Sequence, residues 1–150
     1  MNQNKDPEIQ LCTDMLTTFL NDMDDSTFLK FLANENSGFE CCSPMYRSAK
    51  TALEAFQKSK GWNKAIPDIN TKIEKAFKSG NNICVYRIVT GHYTGKKMFN
   101  LEPNGGDIRS CILDVFEMSN GKIAKWIAVW DELSVLETCG FKVPEFNQTS

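Results

Sequence analysis

Ile108-Arg109-Ser110-Cys111-Ile112-Leu113-Asp114-Val115-Phe116-Glu117-Met118, then Ser119-Asn120-Gly121, then Lys122-Ile123-Ala124-Lys125-Trp126-Ile127-Ala128-Val129-Trp130 reads as two strands joined by a tight turn. Both flanks are rich in β-branched and aromatic residues, which suit a pleated, half-buried surface. Asn-Gly between such flanks is a strong short-range hairpin signal, because both residues tolerate the positive φ of a type I′ turn. Upstream, Ile83 to Thr94 forms another long strand. Before it, Ile69, Thr71, Ile73 and Phe77 alternate with polar residues and predict a half-buried strand, with Ser79-Gly80-Asn81-Asn82 as the turn between the two. Lys96 to Gly106 is a loop with Pro103 and Gly105-Gly106. Glu132 to Cys139 predicts a closing helical turn stopped by Gly140, and residues 144–150 a loose tail.

The first half changes period. Ile9, Cys12, Leu16, Phe19, Leu20 and Met23 fall on one face of a helix that starts just after Pro7. Asp24, Asp25 and Ser26 offer N-caps to a second short helix with Phe28, Leu29, Phe31 and Leu32 on its apolar side. Phe39 to Ser43 predicts a short strand. A third helix is expected from about Ser48 to Lys60, with Gly61 as its C-terminal cap. Helices first and a strand meander after them give an α+β layout rather than βαβ. Because sheets twist, four long antiparallel strands covered by helices curl into a cone that encloses a space.

With 150 residues the chain is expected to form a single domain, residues 1–150 with a core over about 8–141. A chain of this size needs neither disulfide nor metal to fold. The net charge of −2 argues against a nucleic-acid partner and against a polybasic membrane anchor. No apolar run approaches the length of a membrane span. Met1-Asn2-Gln3-Asn4-Lys5-Asp6-Pro7 lacks the apolar core of a signal peptide, so a cytoplasmic location with six reduced thiols is expected, and Asn147-Gln148-Thr149 is an accidental sequon. One histidine and no Cys-x-x-Cys pair argue against zinc.

Four short segments carry a family resemblance: Ile66-Pro67-Asp68-Ile69, Val89-Thr90-Gly91-His92-Tyr93-Thr94-Gly95, Asp114-Val115-Phe116 with Asn120-Gly121-Lys122-Ile123, and Trp126, Trp130, Asp131, Leu133, Leu136 and Gly140. In this order they resemble SnoaL-like proteins, the polyketide cyclase branch of the nuclear transport factor 2-like superfamily, over about residues 8 to 141. The resemblance implies a cone-shaped curved antiparallel sheet packed on N-terminal helices, dimerisation through the sheet, and work without a cofactor. It also implies a small hydrophobic molecule as ligand and, for an enzyme, acid/base cyclisation or isomerisation of a carbonyl compound. Fold alone does not settle reaction, and a non-catalytic binding or interaction module is the alternative. The sequence departs from the family pattern where the family histidine aligns with Tyr93. His92 stands one place earlier, which in a strand is the opposite face.

Candidate site residues follow from both readings. The resemblance makes Asp131 the acid/base aspartate. Desolvation beside apolar surface would raise its pKa and suit it to shuttle protons. The alternative is an N-cap for Glu132-Leu133-Ser134-Val135, which would lower the pKa instead. Asp114, between Ile112 and Phe116 on an apolar stripe, is either a second acid/base group or a paired carboxylate. Arg87, among Val85 and Val89, is its candidate partner or an anion binder. His92 is the only imidazole, available for catalysis or simply hydrogen-bonded at a strand end. Tyr86 and Tyr93 are candidates to orient a carbonyl oxygen. Trp126 and Phe116 offer apolar surface to a ligand, although Trp62, Trp126 and Trp130 are expected in core or interface more than stacked on one. A homodimer is expected because Trp126-Ala128-Trp130 and Ile112-Asp114-Phe116 carry more apolar surface than one helical layer covers.

Overall fold

The computed structural model describes residues 6–143. The expected tail, the sequon at Asn147 and the first five residues lie outside them. Five strands form one sheet in the order β1-β5-β4-β3-β2. Strands β2 (Asn70–Ser79), β3 (Asn82–His92), β4 (Asp107–Ser119) and β5 (Lys122–Trp130) form the antiparallel meander, and short β1 (Gly38–Cys41) adds in parallel to β5. The β4–β5 turn is the expected one, with φ of 50° at Asn120 and 75° at Gly121.

Helix α1 (Pro7–Thr18) is capped by Asp6, whose carboxylate accepts the Glu8 and Ile9 amides. Asp24 caps α2 (Asp25–Leu29), accepting the Thr27 amide at 2.7 Å. Helix α3 runs from Ala52 to Ser59 and begins later than expected, because Thr51 and Glu54 close a reciprocal capping box. Gly61 does not end it in a left-handed turn. Its φ is −80°, and the chain continues into α4 (Trp62–Ala65), which the sequence reading did not anticipate. Gly95 lies against the end of α4. A Cβ there would stand 2.1 Å from the Lys64 carbonyl oxygen, so only glycine allows the Gly95 amide to reach Ala65 O at 2.9 Å. Helix α5 (Glu132–Thr138) is the last element among the described residues and stops at Gly140, with φ of 102°.

Two bulges decide which side chains face inward. Ile73 pairs with Arg87 and Lys75 with Tyr86, so Glu74 is an extra residue in β2. Parity reverses there: Thr71 and Ile73 face inward, then Ala76, and Phe77 turns to the outer face at 57% exposure. The expectation of one face for Ile73 and Phe77 fails for this reason. In β5, Ala124 is the extra residue, and Ile123 and Trp126 both face inward three positions apart. The inner face packs in two clusters. One joins α1, α2 and α3 to β3, β4 and β5, with Phe28 stacked on Phe56 at 4.2 Å and Phe19 edge-on to Trp126 at 5.5 Å. The other gathers Ala65, Ile66, Tyr93, Ile108, Val135 and Cys139.

Candidate functional site

A cavity of about 610 Å³, its mouth included, lies where the two clusters fail to meet. The curled sheet supplies Val89, Ile108, Ile112, Trp126 and Trp130. Phe19 and Leu20 at the end of α1, with Phe39 of β1, close one side; Trp62, Ile66, Ile69 and Val135 close the other. Its apolar walls, with few polar groups among them, have the character of a small-molecule site. The polar lining consists of Arg87, Ser110, Tyr46 and Ser59 together with the indole nitrogens.

Arg87 is the one charged lining side chain among the described residues, and it is 2% exposed. Its charge is balanced from behind. Nε donates to Asp114 Oδ2 at 2.6 Å and Nη2 to Oδ1 at 3.3 Å, while Trp126 Nε1 donates to Oδ1 at 2.8 Å. Asp114 has no exposure and is absent from the cavity wall. Register explains the contact. Asp114 pairs with Val85 and Ile112 with Arg87, so Arg87 and Asp114 are diagonal neighbours on the inner face. The guanidinium also lies over the Phe19 ring, 5.5 Å from its centroid. Among the described residues Nη1 has no partner, and neither has Ser110 Oγ, also buried in the wall.

At the other polar edge the hydrogen bonds are committed. Trp62 Nε1 donates to Tyr46 Oη at 2.9 Å, Tyr46 Oη lies 2.9 Å from Ser59 Oγ, and Ser59 Oγ donates to Ala55 O at 2.9 Å. The serine proton is thus used on the helix backbone, leaving the Tyr46 hydroxyl to donate to Ser59. Burial, the largest influence, pushes the Tyr46 phenol above its usual range.

The sequence candidates divide. Arg87 and Trp126 reach the cavity; Asp114 stands behind it as their partner. Asp131 is the cap of α5, with its carboxylate accepting from Ser134 Oγ and from the Ser134 amide at 3.1 Å. These bonds lower its pKa, so the raised value expected of a desolvated pocket carboxylate is corrected, and Asp131 does not line the cavity. His92 is exposed at the end of β3, where Nδ1 meets Asp68 Oδ2 at 2.6 Å. Tyr86 points to the outer face opposite Leu113. Tyr93 is buried in the second cluster, where its hydroxyl accepts from the Met98 amide and donates to Leu101 O, tying down the loop after β3. Phe116 packs in the main core, stacked on Trp126 at 6.1 Å.

Ser110, not among the sequence candidates, has a legible signal: it sits between Ile108 and Ile112 on the same buried stripe of β4 as Asp114. Tyr46 had no local signal, because it enters from a single 3-10 turn, Pro44–Tyr46. All six cysteines are free, and no cluster of metal-ligating side chains occurs among the described residues. No described helix is long and apolar enough to cross a membrane.

This architecture recurs in solved structures. A candidate SnoaL-like polyketide cyclase from Jannaschia sp. CCS1 superposes with a TM-score of 0.76 at 13% identity, covering 91% of this chain and 94% of that one. AclR, a candidate hydroxylase from Streptomyces galilaeus, gives 0.73 at 17% identity, covering 92% and 87%. An LEH-like epoxide hydrolase of M. tuberculosis gives 0.61 at 14%, covering 89% of each. At these identities the likeness is one of fold. No curated protein sequence matches the chain. The family model for SnoaL-like polyketide cyclases matches residues 10–138, from the first turns of α1 to the last residue of α5. By that match the chain belongs to the SnoaL-like polyketide cyclase family.

Proposed function

We propose that the protein binds a small, largely apolar molecule in the cone, with Arg87 as the group around which recognition is organised. The observation that carries this reading is one buried cation, charge-balanced by Asp114, in the wall of an otherwise apolar cavity. Few precisely placed polar groups among aromatic and aliphatic walls are what a small-molecule site needs for orientation. Equilibrium dialysis against 2-acetylnaphthalene tests it, with Arg87→Lys beside the natural protein: saturable one-to-one uptake, weakened in the variant, is expected, and no saturable uptake would refute it.

Catalysis is the second reading, favoured by membership of a cyclase family. The reaction class would be cyclisation or isomerisation of a carbonyl compound, with Arg87 stabilising negative charge that develops on oxygen. The cavity wall holds no carboxylate or imidazole among the described residues, so Asp131 as proton shuttle lacks access to a bound molecule. This weighs toward the binding reading. Deuterium uptake at the α-carbon of a bound aryl ketone, followed by NMR, separates the two: uptake above the buffer rate supports catalysis.

We also propose a homodimer through the sheet, on a corrected basis. Trp126, Ala128, Ile112 and Phe116 face the interior and are used there. The outer face instead carries Leu113 at 45% and Val129 at 49% exposure, paired with each other and bordered by Val115, Ile127 and Tyr86. A second copy presenting the same patch about a two-fold axis through β4 would cover it. Sedimentation at micromolar concentrations should show a dimer. A cytoplasmic location fits six free thiols.

A further inference from the structure

We infer that Phe99 is a clasp on the cavity: a strained turn holds its ring against Trp62, and that contact sets how fast a bound molecule enters and leaves. This rests on the binding reading above and adds control of exchange to it.

Met98-Phe99-Asn100-Leu101 folds back on itself in the loop after β3, with the Leu101 amide donating to Met98 O at 2.8 Å. Both central residues have positive φ, 53° at Phe99 and 58° at Asn100. Two such values in succession mark a type I′ turn, which asparagine and glycine adopt readily. The β4–β5 turn obeys that preference with Asn120 and Gly121. Here a phenylalanine stands first, and its Cβ crowds the backbone in the left-handed region. A bulky residue stays there only when its surroundings hold it. Tyr93 does so: its hydroxyl accepts the Met98 amide at 2.7 Å and donates to Leu101 O, gripping both ends of the turn.

Core packing does not account for the strain. Met98 and Leu101 pack against the second cluster, whereas Phe99 is 41% exposed. Its ring meets Trp62 edge-on, with centroids 6.1 Å apart. Trp62 belongs to the cavity wall. Most of that wall is buried; Leu20, Trp62, Ile69 and Trp130 are its partly exposed members, and through them the wall reaches solvent. Helix α4 is a single turn with no side-chain cap, so little within it fixes the indole. Two contacts do. Nε1 donates to Tyr46 Oη at 2.9 Å, and the Phe99 ring bears on the indole from the loop. The backbone of α4 is tied separately, by the Gly95 amide to Ala65 O at 2.9 Å and the Lys96 amide to Lys64 O at 2.7 Å. Loss of the Phe99 ring therefore frees the indole and leaves the helix in place. Phe99 is not itself in the wall, so it acts on passage and not on the bound molecule.

Stopped-flow quenching of tryptophan fluorescence by 2-acetylnaphthalene is the test, since Trp62, Trp126 and Trp130 all line the cavity. Phe99→Asn removes the ring and gives this turn the residue that Asn120 supplies to the other. Association and dissociation rates are expected to rise together by about three- to ten-fold, the worth of one aromatic pair, with Kd within about two-fold of the natural value. The urea midpoint is expected at or above that of the natural protein, because the turn relaxes. Phe99→Tyr keeps the ring and should exchange at the natural rates. Unchanged rates in Phe99→Asn would overturn the clasp and leave the binding reading intact. A Kd weakened through dissociation alone would make Phe99 part of the binding surface and overturn the clasp as well. Faster exchange with a lowered midpoint would show general loosening of the loop, with the same consequence. No saturable quenching of the natural protein would overturn the binding reading and the clasp together.

Discussion

Removing one member of the buried Arg87–Asp114 pair should damage the fold far more than removing both. Asp114→Leu takes the acceptor away from three donors, Arg87 Nε, Arg87 Nη2 and Trp126 Nε1, at a position with no exposure. A guanidinium stays charged at any accessible pH, so a buried cation is left without its counter-ion. Breaking such a pair typically costs about 3–5 kcal/mol. Against a total stability of about 5–15 kcal/mol, that is a large fraction. With a urea slope of about 2 kcal/mol/M, the midpoint should fall by about 2 M. Arg87→Met alone strands the carboxylate and should cost about as much, although Trp126 still donates to it. The double variant removes both charges and leaves only the indole N–H unpaired, so it should lie within about 1–3 kcal/mol of the natural protein. The cycle is read by urea denaturation, with tryptophan fluorescence and circular dichroism as coincident probes. Additive losses, or a midpoint shift under about 0.5 M for Asp114→Leu, would refute the reasoning that the pair acts as one buried unit.

Asp131→Ala should cost about 0.5–2 kcal/mol through loss of the α5 cap while leaving ligand affinity intact. The Asp131 carboxyl carbon should titrate below the ordinary 3.8, and loss of binding with the fold retained would return Asp131 to the site. His92 should titrate above 6.5, chiefly through its hydrogen bond with Asp68, and Asp68 below 3.8. The histidine's contribution to stability is therefore complete below 6.5 and lost as pH rises through its folded value. The aspartate's is present above 3.8 and lost as pH falls through its folded value. Both groups are about half exposed, so the effect is small, and NMR of Asp68→Asn should show His92 moving back toward 6.5. Among the thiols, Cys111 should alkylate well before Cys12 and Cys41. Hydrogen bonds from Tyr86 and Arg109 lower its pKa, whereas burial pushes Cys12 up to about 12 and Cys41 to about 11. Protection of Cys111 at concentrations where the chain sediments as a dimer would support the outer-face contact, since Cys111 lies beside Leu113.

What the amino-acid sequence determined by itself is whatever depends on atoms a few residues apart. Asn120-Gly121 makes its hairpin because both residues accept positive φ, and β5 runs over Lys122–Trp130 as read. Asp6 and Asp24 cap because a carboxylate reaches amides two or three positions on, and Asp131 caps for the same reason. Alternation placed Arg87 on the buried stripe of β3 and Asp114 on that of β4, and four ordered motifs were enough to point to the family. Tertiary structure decided the rest. The extra residues Glu74 and Ala124 reverse strand parity, and only the pairing partner reveals them, since either strand reads as continuous in isolation. That Asp131 does not line the cavity turned on where distant elements pack, and that Tyr93 ties down Met98 and Leu101 turned on how the loop after β3 folds back. Asp114 was recognisable as a buried charge, but its retreat behind Arg87 follows from the diagonal geometry of two strands. The cavity itself is a gap between two cores, walled from α1, β1, α4, three strands and α5. A gap has no local pattern, because it exists only where packed elements, far apart in sequence, stop short of one another.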